Sequence, residues 1–284
     1  MARPMETVLN TGAPVVILDQ PQMGENIGAC ARAMGNCGLN QLRIVAPRDG
    51  WPNPAAGPMA AGADWILDGA AVYPNLRAAT ADLTRIYATT ARTREQNKPV
   101  HTARTAAEHM RADSARGLRV GILFGKESVG LDNDGVALAS ALIRIPLNPT
   151  FMSLNLAQAV LLVAYEWLQA PEPVPENARM VAPEQPPEQP PEQPAPMAAV
   201  QNLLDHLTDD LTEAGFFHVT QKADMMKRNL RNIFTRHDLT VQEINTLHGV
   251  LVALAGRPRL RRPEAAAPAE TTQPKQHSRK ETRP

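Results

Sequence analysis

Residues equipped for chemistry concentrate in three short segments: Asn26-Ile-Gly-Ala-Cys-Ala-Arg32-Ala-Met-Gly-Asn36, Leu123-Phe-Gly125-Lys-Glu127-Ser-Val-Gly130-Leu131 and Ile145-Pro-Leu-Asn-Pro-Thr-Phe-Met-Ser153-Leu-Asn155-Leu-Ala-Gln-Ala-Val160. Each combines small residues with an amide, carboxylate, hydroxyl or guanidinium. Familiar phosphate cradles are excluded. The run from Gly121 to Glu127 has one residue too few between its glycines for a P-loop and no Ser or Thr after Lys126. The stretch Gln20-Pro-Gln-Met-Gly24-Glu-Asn-Ile-Gly28 lacks the Gly-x-Gly-x-x-Gly of a dinucleotide fold. No spacing of His, Cys or carboxylates suits a metal, so no metal ligand is expected, and seven scattered histidines give no Ser-His-Asp order. What remains is a site that grips its ligand through backbone. Gly125 and Gly130 permit close approach or positive φ, and the third segment is a tight loop predicted to enter a helix at Ser153, where the first N–H groups are free.

The elements that must position these segments are set by periodicity. Apolar, β-branched runs at 15–18, 42–46, 85–89, 120–124 and 141–146 are separated by helical or loop sequence. That rhythm predicts an α/β domain over 1–169, a mainly parallel sheet with helices on both faces. The three segments then lie at the C-terminal ends of strands, where open α/β sheets bind ligands. One helix comes after the first strand, with Asn26 as its expected N-cap, an apolar stripe through Ile27, Cys30, Ala31, Met34 and Cys37, and Gly38 as the residue past its end. A second is expected from Ser153 to Leu168 and closes the domain.

Residues 170–197 hold ten prolines and three tandem Pro-Glu-Gln-Pro copies, which reads as a semi-extended linker that would hold the C-terminal part away from this domain. Apolar residues then recur at helical spacing, predicting a three-helix unit over 198–256 that is marginal alone and is therefore expected to pack against something. Residues 257–284 are polar and read as a disordered basic tail. The zero net charge conceals this division: Lys/Arg against Asp/Glu is 15 to 14 over 1–169, 1 to 5 over the linker, 5 to 7 over 198–256 and 8 to 3 over the tail. A basic tail of that kind is expected to add sequence-independent RNA affinity through phosphates. Cys30 and Cys37 share one helix face without bridge geometry and are expected as core residues of a reduced, cytoplasmic protein. No apolar run reaches membrane-spanning length.

In this order and spacing the three segments resemble the signature motifs of the SPOUT superfamily of RNA ribose 2′-O-methyltransferases. Thr89-Thr-Ala-Arg92-Thr-Arg94 matches as a fourth. The likeness is dense over 14–169 and looser over 198–256, and the C-terminal helices bring it nearest to the TrmJ-type tRNA (cytidine/uridine) methyltransferases, whose target is the anticodon-loop pyrimidine at tRNA position 32. The resemblance implies a trefoil-knotted fold, S-adenosylmethionine as cofactor, tRNA as partner, and a homodimer with a composite active site. It assigns the methyl donor to Thr89, Thr90, Ala91, Gly125, Ile145, Met152, Ser153 and Leu154. It makes Arg32 the catalytic residue, with Asn26, Glu127, Ser153 and Asn155 as supporting hydrogen-bonding groups. Lys126 and Ser128 depart from the arginine that relatives often carry, and the Pro-Glu-Gln repeats and basic tail are peculiar to this chain.

A guanidinium is effectively never deprotonated, so Arg32 is read as orienting the ribose and a neighbouring phosphate and stabilising the developing alkoxide, with phosphate or water taking the proton. Simpler roles stand beside these: Asn26 as a helix cap only, Lys126 and Glu127 as a solvated pair, Arg32 as a stem along the core edge, Tyr165 and Trp167 as packing groups, and Met225 and Met226 as core filler. Other functions also stay open, namely methylation of another tRNA ribose or of rRNA, and a catalytically silent RNA-binding protein.

Overall fold

A computed structural model describes residues 12–91, 98–171, 193–217 and 220–255. In chain order the elements are β1 (Val15–Asp19), α1 (Gly24–Asn36), β2 (Leu42–Val45), α2 (Ala56–Ala60), α3 (Asp64–Asp68), β3 (Ala71–Tyr73), α4 (Leu76–Thr80), β4 (Arg85–Thr89), β5 (Val100–Thr102), α5 (Ala103–Ala115), β6 (Val120–Phe124), α6 (Asn133–Leu138), β7 (Ala141–Arg144), α7 (Leu156–Gln169), α8 (Met197–Glu213), α9 (Thr220–Thr235) and α10 (Val241–Ala255). Seven strands form one sheet in the order β3-β2-β1-β6-β4-β7-β5. Every pairing is parallel. The five strands expected from apolar runs are present; the three-residue edge strands β3 and β5 are additional, too short and exposed to show a period.

Strands β1 and β6 are buried at every residue, as a parallel sheet covered on both faces requires. Alternate residues feed two cores. Val16, Leu18, Ile122, Phe124 and Ile143 pack under α1, α5 and α7, whereas Val15, Ile17, Leu123 and Leu142 pack under α4, α6 and α8. Helix α1 ends at Cys37 with Gly38 at φ +73°, and Leu39 N–H returns to the Met34 carbonyl, satisfying the last turn as expected of Gly38. Cys30 and Cys37 are both free and buried.

The C-terminal helices are not held apart from the sheet. Val200, Leu203 and Leu204 of α8 and Ile244 of α10 belong to the second core. Met197 N–H donates to the Leu83 carbonyl at 2.8 Å, Arg77 meets Asp205 at 2.5 Å, and Arg85 pairs with Asp238. Lys98, 6 % exposed, donates to the carbonyls of Ala137 and Ala139 and to Thr235 Oγ1, so its three N–H groups join β5's entry, the end of α6 and the end of α9. The expected spacer effect fails because an amphipathic helix with an apolar face lowers its free energy by covering the open sheet face rather than standing in water. Arg92, Arg94, most of the Pro-Glu-Gln linker and the tail lie outside the described residues. Among the described residues no helix is long and apolar enough to cross a membrane.

Candidate functional site

The C-terminal edge of the sheet gathers all three segments. Helix α1 begins one residue pair before Asn26, with Met23 as its N-cap and no side-chain cap of its own. The cap is supplied from 105 residues away: Gln22 N–H donates to both Glu127 oxygens, at 3.0 and 2.9 Å. Met23 N–H and Asn26 Nδ2 add bonds to Oε1 at 3.4 and 3.1 Å. A carboxylate at a helix N-terminus meets both free donors and the positive end of the helix dipole, and charge-assisted bonds of this kind contribute of order 1 kcal/mol each. The expected cap role of Asn26 is thereby corrected. It sits inside α1, and its amide spans the segments, donating to Glu127 while its Oδ1 accepts from Asn155 Nδ2 at 3.0 Å.

Asn155 is fixed from its own side. It is the N-cap of α7, its Oδ1 accepting from Ala157 N–H at 2.9 Å while its N–H donates to Gln158 Oε1 at 3.2 Å. This reciprocal box moves the helix start from the expected Ser153 to Leu156, since Asn155 and Gln158 hold the turn that Ser153 would otherwise begin. Ser153 stays in the preceding loop and is exposed. The chain Glu127–Asn26–Asn155 thus ties the ends of β1, β6 and β7 together, as a frame around whatever binds there.

Inside that frame lies a cavity of about 310 Å³, within the usual range for small-molecule sites. Thr89, Thr90 and Ala91 form one side, Gly125 another, and Ile145, Met152, Ser153 and Leu154 a third, so all eight residues expected to grip a donor line one space. Phe124, Ile143, Leu131 and Leu156 supply apolar wall and were not singled out among the expected site residues; nothing in an apolar residue marks it as facing a cavity. Gly125 is required by packing: a Cβ there would lie 2.2 Å from Leu131 N and 2.3 Å from Gly130 C. Gly130, at φ +72°, turns the loop back so that its N–H reaches the Lys126 carbonyl at 2.9 Å.

Arg32 is not among the cavity's lining residues. Its side chain is exposed on α1, six residues beyond Asn26, and makes no side-chain hydrogen bond or ion pair among the described residues. Helix α1 packs beside α7, whose outer stripe of Leu161, Leu162, Tyr165 and Leu168 is also exposed. Among the described residues no cluster of three His, Cys, Asp or Glu is placed to hold a metal.

One residue near the site was missed. Asp19 ends β1, is 2 % exposed, and its Oδ1 has no partner. Burial, reinforced by the Asp132 charge and opposed by Lys126, pushes its carboxyl up to about 6. A carboxylate closing an apolar strand, just before a turn, was the available signal. Because the folded state holds this proton more tightly than the unfolded chain, stability falls as pH rises from about 4 to about 6, and the penalty is complete above that window. Asp19→Asn is therefore expected to stabilise the protein at pH 7 by roughly 1–3 kcal/mol and to make no difference below pH ~4. Urea unfolding of both proteins at the two pH values measures this; a variant no more stable at pH 7 would show that Asp19 is ionised at no cost.

Comparison with known proteins matches the SpoU rRNA methylase family over residues 13–165 and the C-terminal domain of the tRNA methyltransferase TrmJ over 198–265. The chain is 32% identical over 236 residues to the Photorhabdus laumondii tRNA (cytidine/uridine-2′-O-)-methyltransferase TrmJ, covering 83% of this chain and 94% of that protein. It is 38% identical over 164 residues to a Pseudomonas aeruginosa TrmJ whose name adds adenosine, covering 55% and 62%. The crystal structure of TrmJ from Z. mobilis ZM4 superposes with a TM-score of 0.76 at 46% identity, covering 85% of this chain and 99% of that one.

Proposed function

Since the chain belongs to the SpoU methylase family and carries a TrmJ-type C-terminal domain, we propose that it transfers a methyl group from S-adenosylmethionine to a ribose 2′-hydroxyl of tRNA in the cytoplasm. The pyrimidine at anticodon-loop position 32 is the target that the resemblance implies. The observation that carries this reading is that the second and third motif segments line one cavity with residues 89–91 while the first is tied to both through Asn26, which hydrogen-bonds Glu127 and Asn155. The residues present fit the donor. Phe124, Ile143, Leu131 and Leu156 offer apolar surface for an adenine, and the peptide groups of 89–91, 125–131 and 152–154 offer hydrogen-bonding edges. Bound there, the donor supplies a methyl group activated by its sulfonium, a leaving group that needs little assistance.

The protein's task is then to position and deprotonate the hydroxyl. Arg32 orients the ribose and an adjacent phosphate, favouring the developing alkoxide, while phosphate or water accepts the proton. Asn26, Glu127 and Asn155 act by holding the loops in register, and Ser153 by lining the donor site. Arg32 lies outside its own cavity, and the exposed apolar stripe of α7 runs beside α1. Both features support a homodimer paired through these helices, with Arg32 serving the partner's cavity. The trefoil knot implied by the resemblance belongs to the same reading: β7 enters between β4 and β5 although it comes after β6, and its exit loop closes on the loop after β6.

Calorimetry is expected to show S-adenosylmethionine binding with no added metal, and mass spectrometry of tRNA incubated with the donor is expected to find one new alkali-resistant ribose. Donor binding that required magnesium, or tRNA left unmodified, would overturn this function.

A further inference from the structure

Charge is sharply divided among the C-terminal helices. All five Lys and Arg of residues 198–256 fall between 222 and 236, with Asp224 the one acidic residue there before Arg236, whereas α8 carries Asp205, Asp209, Asp210 and Glu213 and no basic residue. In the α/β part, by contrast, Arg43, Arg77, Arg85, Arg104 and Arg119 are each tied to a carboxylate. On α9, Arg228 alone has an acidic partner among the described residues.

The direction of α9 is given by its contacts with α6. Arg228 Nη1 reaches Asp134 in the first turn of α6 at 3.6 Å, and Thr235 Oγ1 donates to the Ala137 carbonyl near its end at 3.1 Å. The two helices therefore run the same way. Helix α6 starts directly after the 125–131 loop that lines the cavity, so its first turn marks the cavity-bearing edge of the sheet. Six residues before Arg228, at a helical rise of about 1.5 Å each, Lys222 stands about 9 Å further in that direction, past the start of α6. Lys222 and Lys227 are exposed, and Lys227 Nζ lies 5.4 Å from the Phe217 ring, a contact that leaves it open to solvent.

We propose that Lys222 and Lys227 form a phosphate-contacting surface beside the cavity mouth, which takes the tRNA backbone flanking the target nucleotide. This rests on the tRNA-methylation reading and names the part of the C-terminal helices that meets the RNA. Two exposed ammonium groups, Lys222 past the catalytic edge and Lys227 level with it, suit a sequence-independent polyanion, because each phosphate neutralised releases counterions. The acidic outer side of α8 repels the same backbone, so the RNA is directed along α9 and across the edge where the methyl donor lies.

The test compares wild type, the double variant Lys222→Ala/Lys227→Ala and the double variant Lys222→Arg/Lys227→Arg. Each is assayed for tRNA affinity at two salt concentrations, for KM and kcat with tRNA, and for S-adenosylmethionine affinity. The alanine pair is expected to bind tRNA about tenfold more weakly near 0.1 M salt, with a salt slope shallower by about 2. The KM for tRNA should rise in proportion while kcat and donor affinity stay within about twofold, and the arginine pair should restore binding. Affinity and slope within about twofold of wild type in the alanine pair, or an arginine pair as weak as the alanine pair, would overturn the phosphate assignment. Wild-type protein that leaves tRNA unmethylated sinks the parent reading instead, a result obtained before any variant is compared.

Discussion

Arg32→Ala is expected to lower turnover about a hundred- to ten-thousandfold while leaving S-adenosylmethionine affinity within a few-fold. The size reflects what a positioned donor contributes to a developing oxyanion in a water-poor site. The selectivity reflects place: Arg32 is exposed on α1 and does not line the cavity that would hold the donor. Loss of an interaction made only in the transition state lowers kcat and kcat/KM together. Single-turnover methylation with saturating tRNA, alongside calorimetry with the donor, separates the two effects. A tenfold or larger loss of donor affinity would move Arg32 out of the role assigned to it.

Gly125→Ala is expected to fail at the other half of the reaction. Its Cβ would stand 2.2 Å from Leu131 N and 2.7 Å from the Gly130 carbonyl oxygen, all backbone, so no side chain can swing aside. The loop from Lys126 to Gly130 must move bodily, and that loop forms one wall of the cavity and carries Glu127, whose carboxylate caps α1. Overpacking of this severity costs about 3 kcal/mol or more, which as lost binding is about a hundredfold in donor affinity. Gly249→Ala on α10, where a Cβ meets nothing within 4 Å, should leave donor binding unchanged. Donor affinity in Gly125→Ala within threefold of wild type would mean the 125–131 loop does not shape the donor site.

These two variants also test each other. If Arg32 serves the partner's cavity, mixing the inactive Arg32→Ala and Gly125→Ala proteins creates dimers with one intact site, and random pairing of a two-fold dimer recovers about a quarter of wild-type activity. Mixtures as inactive as their parents would place Arg32 and the cavity of the same chain in one site, contrary to the proposed composite arrangement.

By itself, the sequence determined what local patterns encode. The fully buried strands announce themselves as unbroken β-branched runs, because a parallel sheet covered on both faces leaves no residue facing water. The C-terminal helices show as 3.6-residue stripes, and the end of α1 as Gly38, a residue able to take positive φ. The three motif segments were legible as sites because glycine, proline and polar residues at strand ends have few structural reasons to occur together. Only the tertiary structure decided which partners those residues take. Asn26 reads as a cap in isolation, yet Glu127, 101 residues later, supplies the cap and leaves Asn26 to bridge to Asn155. Ser153 reads as a helix start, yet Asn155 and Gln158 close a better box two residues on. Asp19 closes an apolar run, and only the fold shows that it is buried there with the charges of Asp132 and Lys126 beside it. The three-residue strands β3 and β5 are too short to carry a period, and the marginal size of the three-helix unit says that it packs against something but not that α8 covers the open sheet face. The Asn155–Gln158 box is local, three residues long; in the other cases the deciding energy is a contact between residues far apart in the chain, and a contact of that kind leaves no mark on the spacing of neighbours.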